Sequence, residues 1–366
     1  MKLDWKRLLE FNQDEVLGLD IGSSAVKIVQ LCKDESEYKV TAAGIVKIAD
    51  GTENSPDRKE INTVRAILDC LKLTAVKTKL AVCSVSGPDV AVRHFKFPPL
   101  SAEEIPAAVR LEAEQVCPFN IDDSAVDYQL IADGDGTING VLVAATNKLI
   151  KRKSRLAKDA SLDTVLMDVD GLALLNCFNG LEFCKNSQNG LTHEHQTAHP
   201  GLVTVILNVG SCSTNMAIIG QEHLPFVRDI AYGGDDIIEV IADENNVSTE
   251  IVANALAGHE DPGQPKLELR DNLARACQKL ITDITETLRY YKAREKSTDV
   301  EKVLVCGGFA LVKGFVELLD SKLAATAVLW NPLEKVPYDA GQSCRDSLQE
   351  NGPAMAVAAG LAMRSI

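Results

Sequence analysis

The sequence predicts an α/β protein of two lobes with a smaller inserted subdomain. Three observations lead there. The 366 residues exceed one small domain, since domains usually run to about 100–200 residues. Short apolar runs of strand character alternate with segments whose apolar residues recur at helical spacing. A strand–turn–strand unit at 16–31 recurs in the second half at 202–219.

Composition narrows the class of function. Apolar residues make up 46% and charged residues 25%, ordinary globular usage that excludes long disorder, collagen-like repeats and a coiled coil. With 38 Lys and Arg against 52 Asp and Glu, the net charge of −14 disfavours non-specific attraction to nucleic acid or an anionic bilayer. The longest apolar stretches, such as 141–145, fall far short of the roughly 18–20 residues of a membrane-spanning helix. Met1-Lys2-Leu3-Asp4-Trp5-Lys6-Arg7 carries charges where a signal peptide places its apolar segment, so a cytoplasmic location is expected. Ten scattered cysteines with no Cys-x-x-Cys pair read as reduced, mostly buried small hydrophobes.

The elements follow in order. Residues 16–31 read as a hairpin of two buried strands around Asp20-Ile21-Gly22-Ser23-Ser24, and 40–48 as a further strand. After a loop at 51–57, Ile61, Val64, Ile67, Leu68 and Leu71 mark a helix over 61–73, and 79–85 returns to strand. Phe97-Pro98-Pro99-Leu100 breaks pairing, and Ser101 with Glu104 forms a capping box for a helix over 102–116, with Pro106 near its start. Cys117-Pro118-Phe119 ends it. Strands at 126–131 and 140–145 flank an acidic turn at 133–136, and 148–160 reads as a basic, exposed helix.

The polar stretch 182–201 reads as a surface loop, and the hairpin pattern then recurs around Asn208-Val209-Gly210-Ser211-Cys212-Ser213-Thr214. A long amphipathic helix is expected over 269–291, a strand over 303–306 stopped by Gly307-Gly308, and an Ala-rich last helix over 353–363. The division expected is a first lobe at 1–91, an inserted subdomain at 92–165, a return to the first lobe with a connecting loop at 166–200, a second lobe at 201–352, and a C-terminal helix at 353–366 packing back at the lobe interface.

The two turns share one design: a polar residue ending a strand, a glycine, then small hydroxyl residues. Backbone N–H groups around such a turn make a concave anion site, and glycine lets a phosphate approach without Cβ interference. Two facing turns clamp a triphosphate, with Asp20 holding Mg²⁺ through water. Lys27, further along the second strand, has two directions open to it, toward the turn or toward solvent. Gly307-Gly308-Phe309 supplies a third close-approach point beside an adenosine, and Gly233-Gly234-Asp235 supports the same cleft. Neither Gly-x4-Gly-Lys-Ser/Thr nor a Gly-x-Gly-x-x-Gly after a strand is present.

Other features carry less. His193, His195 and His199 with Cys184 are metal-ligand types, but polar loops collect histidines without a site. Glu103, Glu104, Glu112 and Glu114 read as the capping and solvated face of a helix. Trp5, Leu8 and Leu9 make one side of a short helix better suited to docking on protein than on a membrane.

The ordered set of turns resembles the actin-like ATPase superfamily and, within it, the PilM family of type IV pilus assembly proteins. The resemblance rests on residues 18–27, on Phe97-Pro98-Pro99-Leu100-Ser101 with Glu112-Ala113-Glu114-Gln115-Val116-Cys117-Pro118-Phe119, on Arg228-Asp229-Ile230-Ala231-Tyr232-Gly233-Gly234, and on the Ala-rich ending. It implies an actin-like, ribonuclease H-like two-lobed ATPase fold with an inserted α+β subdomain. Residues 20–24 would be the first phosphate loop, with Lys27 beside it, 210–214 the second, and 307–309 the adenosine contact. ATP and Mg²⁺ are the implied cofactors.

Relatives commonly carry Asp where this chain has Asn208. An amide neither accepts a proton nor neutralises a metal as a carboxylate does, so ATP binding with weak or absent hydrolysis is expected. The implied work is that of a cytoplasmic scaffold at the inner face of the inner membrane. It would bind the cytoplasmic peptide of a PilN-like protein in a groove near 92–165, together with other assembly proteins, in a type IV pilus or related type II secretion machine. The alternatives are a polymerising protein like the division protein FtsA, whose C-terminal amphipathic tail this sequence does not show, and a small-molecule kinase, which needs an acidic base in the cleft. Membrane contact is expected to be indirect.

Overall fold

The computed structural model describes residues 16–34, 37–49, 56–131, 137–188, 203–220, 225–259, 268–295 and 300–364. The chain opens with a meander, β1 (Val16–Ile21), β2 (Ala25–Asp34) and β3 (Glu37–Lys47), followed by helix α1 (Pro56–Thr74) and β4 (Leu80–Val85), which pairs in parallel with β1. Every residue of β1 is buried, as suits a central strand covered on both faces. Helix α1 turns Thr63, Ala66, Ile67 and Cys70 inward.

The chain then leaves this sheet. Strand β5 (Val90–Phe97), helix α2 (Ile105–Val116), and strands β6 (Ser124–Ile131) and β7 (Ile138–Thr146) build a separate antiparallel sheet in the order β5-β7-β6. Its core of Phe95, Ile105, Val109, Ala113, Ile121 and Leu142 is its own. Helix α3 (Asn147–Asp159) leads back to β8 (Asp163–Val169), which joins the first sheet in parallel beside β4.

From β8 the chain enters α4 (Asp170–Gln188) and then a second sheet: β9 (Val203–Val209), β10 (Thr214–Ile219), β11 (Pro225–Ile230), helices α5 (Gly234–Asn245), α6 (Thr249–Leu256), α7 (Leu269–Ala276) and α8 (Gln278–Glu295), β12 (Val300–Cys306), α9 (Phe315–Lys322) and β13 (Thr326–Leu329). The two five-stranded sheets run β3-β2-β1-β4-β8 and β11-β10-β9-β12-β13, one connectivity used twice. Helix α10 (Gln342–Asn351), a 3₁₀ turn at Gly352–Met355 and helix α11 (Ala356–Ala362) end the described chain.

A shared apolar layer joins the two sheets. Val16, Val82 and Val169 of the first meet Ile206, Ala217 and Leu304 of the second through Ala173 and Leu174 of α4 and Val357 and Leu361 of α11. Helix α11 approaches so closely that a Cβ on Gly18 would overlap the Ala358 carbonyl oxygen, and one on Gly360 the Ala173 carbonyl oxygen. Arg364 clamps the end, donating from Nε and Nη2 to Asp168 at 2.6 and 3.0 Å. Leu333, Val336, Cys344 and Leu348 pack on Val29, Leu31 and Val40 of the first sheet. Hydrogen bonds from Val40 N to Pro337 O and from Asp339 N to Val40 O cover the edge of β3, which would otherwise be an open template for pairing.

Several expectations about local structure are corrected. Helix α1 starts at Pro56, within the stretch read as loop. Ser101 and Glu104 do bond, Ser101 N and Oγ each donating to Glu104 Oε2 at 2.8 Å, but α2 begins only at Ile105. Pro106 then lies in its first turn, where a missing N–H is harmless. The basic helix α3 is exposed on one side only, since Leu149, Leu156 and Ala157 are buried. Helix α4 runs to Gln188, into the stretch read as loop, and the long second-lobe helix is divided at Cys277. The last helix is split between a 3₁₀ turn and α11. The acidic turn at 133–136, the N-terminal segment with Trp5, Leu8 and Leu9, and the histidines at 193, 195 and 199 lie outside the described residues.

Candidate nucleotide cleft

The β1–β2 and β9–β10 hairpins hold equivalent places in the two sheets, and their turns are closed by the same bond. Gly22 N donates to Ala25 O at 3.0 Å and Gly210 N to Ser213 O at 2.9 Å. The turns converge from the two lobes until Ser23 Oγ and Ser211 Oγ lie 2.6 Å apart. They form part of the wall of a cavity of about 940 Å³, within the usual range of small-ligand sites.

Asp20, Gly22, Ser23, Ser24, Lys27, Gly210, Ser211, Ser213, Gly234, Gly308 and Phe309 all line this cavity. Lys27 takes the inward of its two directions. It stands opposite Asp20 in the register of β1 and β2, so both side chains share a face, and Nζ donates to Asp20 Oδ2 at 3.0 Å. Gly308 carries open space where a Cβ would stand. A second, apolar part of the wall comes from Ile238 of α5, Ala253 and Leu256 of α6, and Leu311 and Val312 after β12.

Thr214, Gly233 and Gly307 stand behind the wall. Thr214 is fully buried, its Oγ1 donating to Tyr232 O at 2.9 Å. A Cβ on Gly233 would overlap Ser211 O. Gly307 has φ +95°, and a Cβ there would overlap Val209 O, so only glycine fits. These residues fix the second turn's shape. Helix α5 contributes in the same way, Gly234 N donating to Gly210 O at 2.9 Å and Asp235 N to Ser211 O at 2.8 Å.

Among the charged groups of the cleft that sequence reasoning missed, Lys153 and Asp170 stand near Asp20. Lys153 of α3 lines the cavity and donates to the Ile21 carbonyl oxygen. Burial pulls its pKa down, against the attraction of Asp170 and Asp20. Asp170, the first residue of α4, bonds Ser84 and Ser86, and burial followed by the nearby Asp20 charge pushes its carboxyl up. Asp168-Val169-Asp170-Gly171 closes a strand much as Asp20-Ile21-Gly22 does, a readable signal. Lys153 had none, since it is one of several cations along its helix.

Asn208 ends β9 where Asp20 ends β1. Its Nδ2 donates to Asn215 Oδ1 at 2.8 Å, Asn215 Nδ2 donates to Asp229 Oδ1 at 2.7 Å, and Gly87 N donates to Asp229 Oδ2 at 2.5 Å. Burial raises the Asp229 carboxyl pKa, against these bonds. Among the described residues no group of three His, Cys, Asp or Glu side chains is placed to hold a metal.

A second concavity, of about 710 Å³, lies between β5 and β11. Val90, Val92 and His94 face Pro225, Val227 and Arg228 across it, and His94 Nε2 donates to Pro225 O at 2.7 Å. Ser86, Cys212 and Ser213 line both concavities. No helix among the described residues is long and apolar enough to cross a membrane.

Comparison with known proteins agrees with this architecture. A solved PilM–PilN type IV pilus biogenesis complex is similar at TM-score 0.77 and 23% identity, over 96% of this chain and 98% of the other. A diol dehydratase-reactivating factor in nucleotide-free form is similar at TM-score 0.50 and 11% identity, over 94% of this chain and 98% of the other. Two sheets of one connectivity with a cleft between their hairpin turns make this an actin-like ATPase fold. The family model described as type IV pilus assembly protein PilM matches residues 18–366, a span holding both turns and the three-stranded insert, and the chain belongs to that family.

Proposed function

We propose that this chain is a nucleotide-dependent cytoplasmic scaffold of a type IV pilus or related secretion machine, held at the inner membrane by the cytoplasmic peptide of a PilN-like protein. The observation that carries the reading is the family match over 18–366. In this reading the first lobe is built from 16–85, 147–188 and 333–364, the insert from 90–146 and the second lobe from 203–329.

ATP is the proposed ligand of the cleft. Amides and hydroxyls of Ser23, Ser24, Ser211 and Ser213 would hold its phosphates from both sides, Gly22 and Gly210 closing the turns that present them, and Lys27 and Lys153 would neutralise them. Gly308 and Phe309, with Ile238, Leu256 and Leu311, would flank the adenosine. Asp20, one carboxylate among hydroxyl and amide oxygens, suits Mg²⁺, which keeps much of its water; the ion would neutralise phosphate charge. Asn208 already donates to Asn215 and takes no proton, so turnover would be slow and ATP would favour lobe closure.

The groove between β5 and β11 is the proposed peptide site. Both strands are sheet edges, which an extended chain can pair with, and its side pockets would supply selectivity. Calorimetric titration of the full chain with a synthetic cytoplasmic peptide of PilN from the same organism tests this. Saturable binding that a scrambled peptide lacks is expected. Equal heats from both peptides would end the scaffold reading.

A further inference from the structure

Resting on that reading, we infer that the hydrogen-bonded chain Asn208–Asn215–Asp229–Gly87 couples the cleft to the β5–β11 groove, so that a ligand in either tightens binding in the other. Asn208 belongs to the cleft wall, whereas Asp229 and Gly87 belong to the groove wall. The chain therefore begins in one cavity and ends in the other. The cavities also share Ser86, Cys212 and Ser213, so one side of the second turn meets each ligand.

The links leave little slack. Asn215 is 3% exposed, its Oδ1 accepting from Asn208 and its Nδ2 donating to Asp229. Turning that amide over would set donor against donor at one end and acceptor against acceptor at the other, leaving buried groups unpaired. Asp229 ends the chain as acceptor on both oxygens. The partner on its far side, Gly87 N, lies on the connection from β4 to β5 with φ +97°, a conformation glycine reaches without strain.

The sign follows from which lobes the contacts join. Gly87–Asp229 ties the first-lobe side to the second lobe, and His94–Pro225 ties the insert to it. A nucleotide clamped by both turns and a peptide lying between β5 and β11 each favour the arrangement in which these contacts exist. Two ligands that select one state help each other, and the effect is reciprocal.

The test uses the full chain, a fluorescent ATP analogue and the synthetic PilN peptide. Saturating peptide is expected to tighten analogue binding about tenfold, and saturating analogue to tighten peptide binding by the same factor. Asn215→Ala removes the middle link; Asp229→Asn keeps the shape but turns an NH₂ toward one of its two donors. In both, the ratio of affinities with and without the second ligand should fall to about one, and thermal unfolding checks that each variant is folded. The readout is that ratio, so a change in either single affinity does not imitate it. Mutual independence in the parent chain, or variants that keep the full ratio, would overturn the coupling. An analogue or peptide that never binds the parent chain would show up in the single titrations and overturn the functional reading, and the coupling with it.

Discussion

Ser23 and Ser211 meet across the cleft with their hydroxyl oxygens 2.6 Å apart, although 188 residues separate them in the chain. Each follows the glycine of a turn that holds the same place in its own sheet. The contact shows both turns aimed at one point, and the predictions below follow from the cleft and from the packing of the fold.

Gly308→Glu should abolish binding of a fluorescent ATP analogue with little change in thermal stability. A Cβ at 308 meets nothing within 4 Å and points into the cleft, where a carboxylate would occupy the ligand's space and repel its phosphates. Asp20→Ala should weaken Mg²⁺-dependent binding by tenfold or more, equivalent to about 1.4 kcal/mol. Unchanged affinity in both variants would remove the site assignment.

Cys212 lies exposed in the second turn, its Sγ 3.3 Å from Asp235 Oδ2, whereas Cys70, Cys83, Cys177, Cys277, Cys306 and Cys344 are buried. Maleimide labelling should therefore reach Cys212 well before those six, and saturating ATP should slow it severalfold. Mass spectrometry of the labelled peptides decides the site; a rate indifferent to ATP would place the nucleotide elsewhere.

Gly360→Ala should destabilise the chain by about 3 kcal/mol, because the added methyl overlaps the Ala173 carbonyl in a close-packed layer. Arg364→Ala should cost a similar amount, about 3 kcal/mol, by leaving the buried Asp168 carboxylate without its clamp. Urea unfolding measures both. Parent-like midpoints would mean that the C-terminal helix is not seated as described.

Alkaline pH should weaken the fold. Burial holds the Cys70 and Cys277 thiols up at about 12 and Cys83 at about 11, against an ordinary 9.0. Above pH 9.0 the unfolded chain releases these protons while the folded chain keeps them. Stability is then lost with rising pH, by roughly 1 kcal/mol per thiol per pH unit, until the folded values are reached. Chemical unfolding at successive pH values checks the slope, and replacing Cys70 by Val should remove one share of it.

Much of this was written locally. Asp20-Ile21-Gly22-Ser23 and Asn208-Val209-Gly210-Ser211 declared their hairpins because a buried strand, a glycine and small polar residues force a tight turn wherever they stand. The amphipathic spacing in α1 and α8 announced helices for the same local reason. Boundaries were less legible. Helix α4 runs on into polar sequence, and Pro106 moved the start of α2 past its capping pair.

What the chain alone determined was the repeated unit, since hydrophobic period and turn chemistry act within a few residues. Tertiary structure decided that the two units face each other, that Lys27 turns inward beside Asp20, and that Lys153 and Asp170 join them. Those outcomes depend on groups brought together from distant parts of the chain. No short window of sequence carries the distance between them, because packing of the two sheets through α4 and α11 sets it.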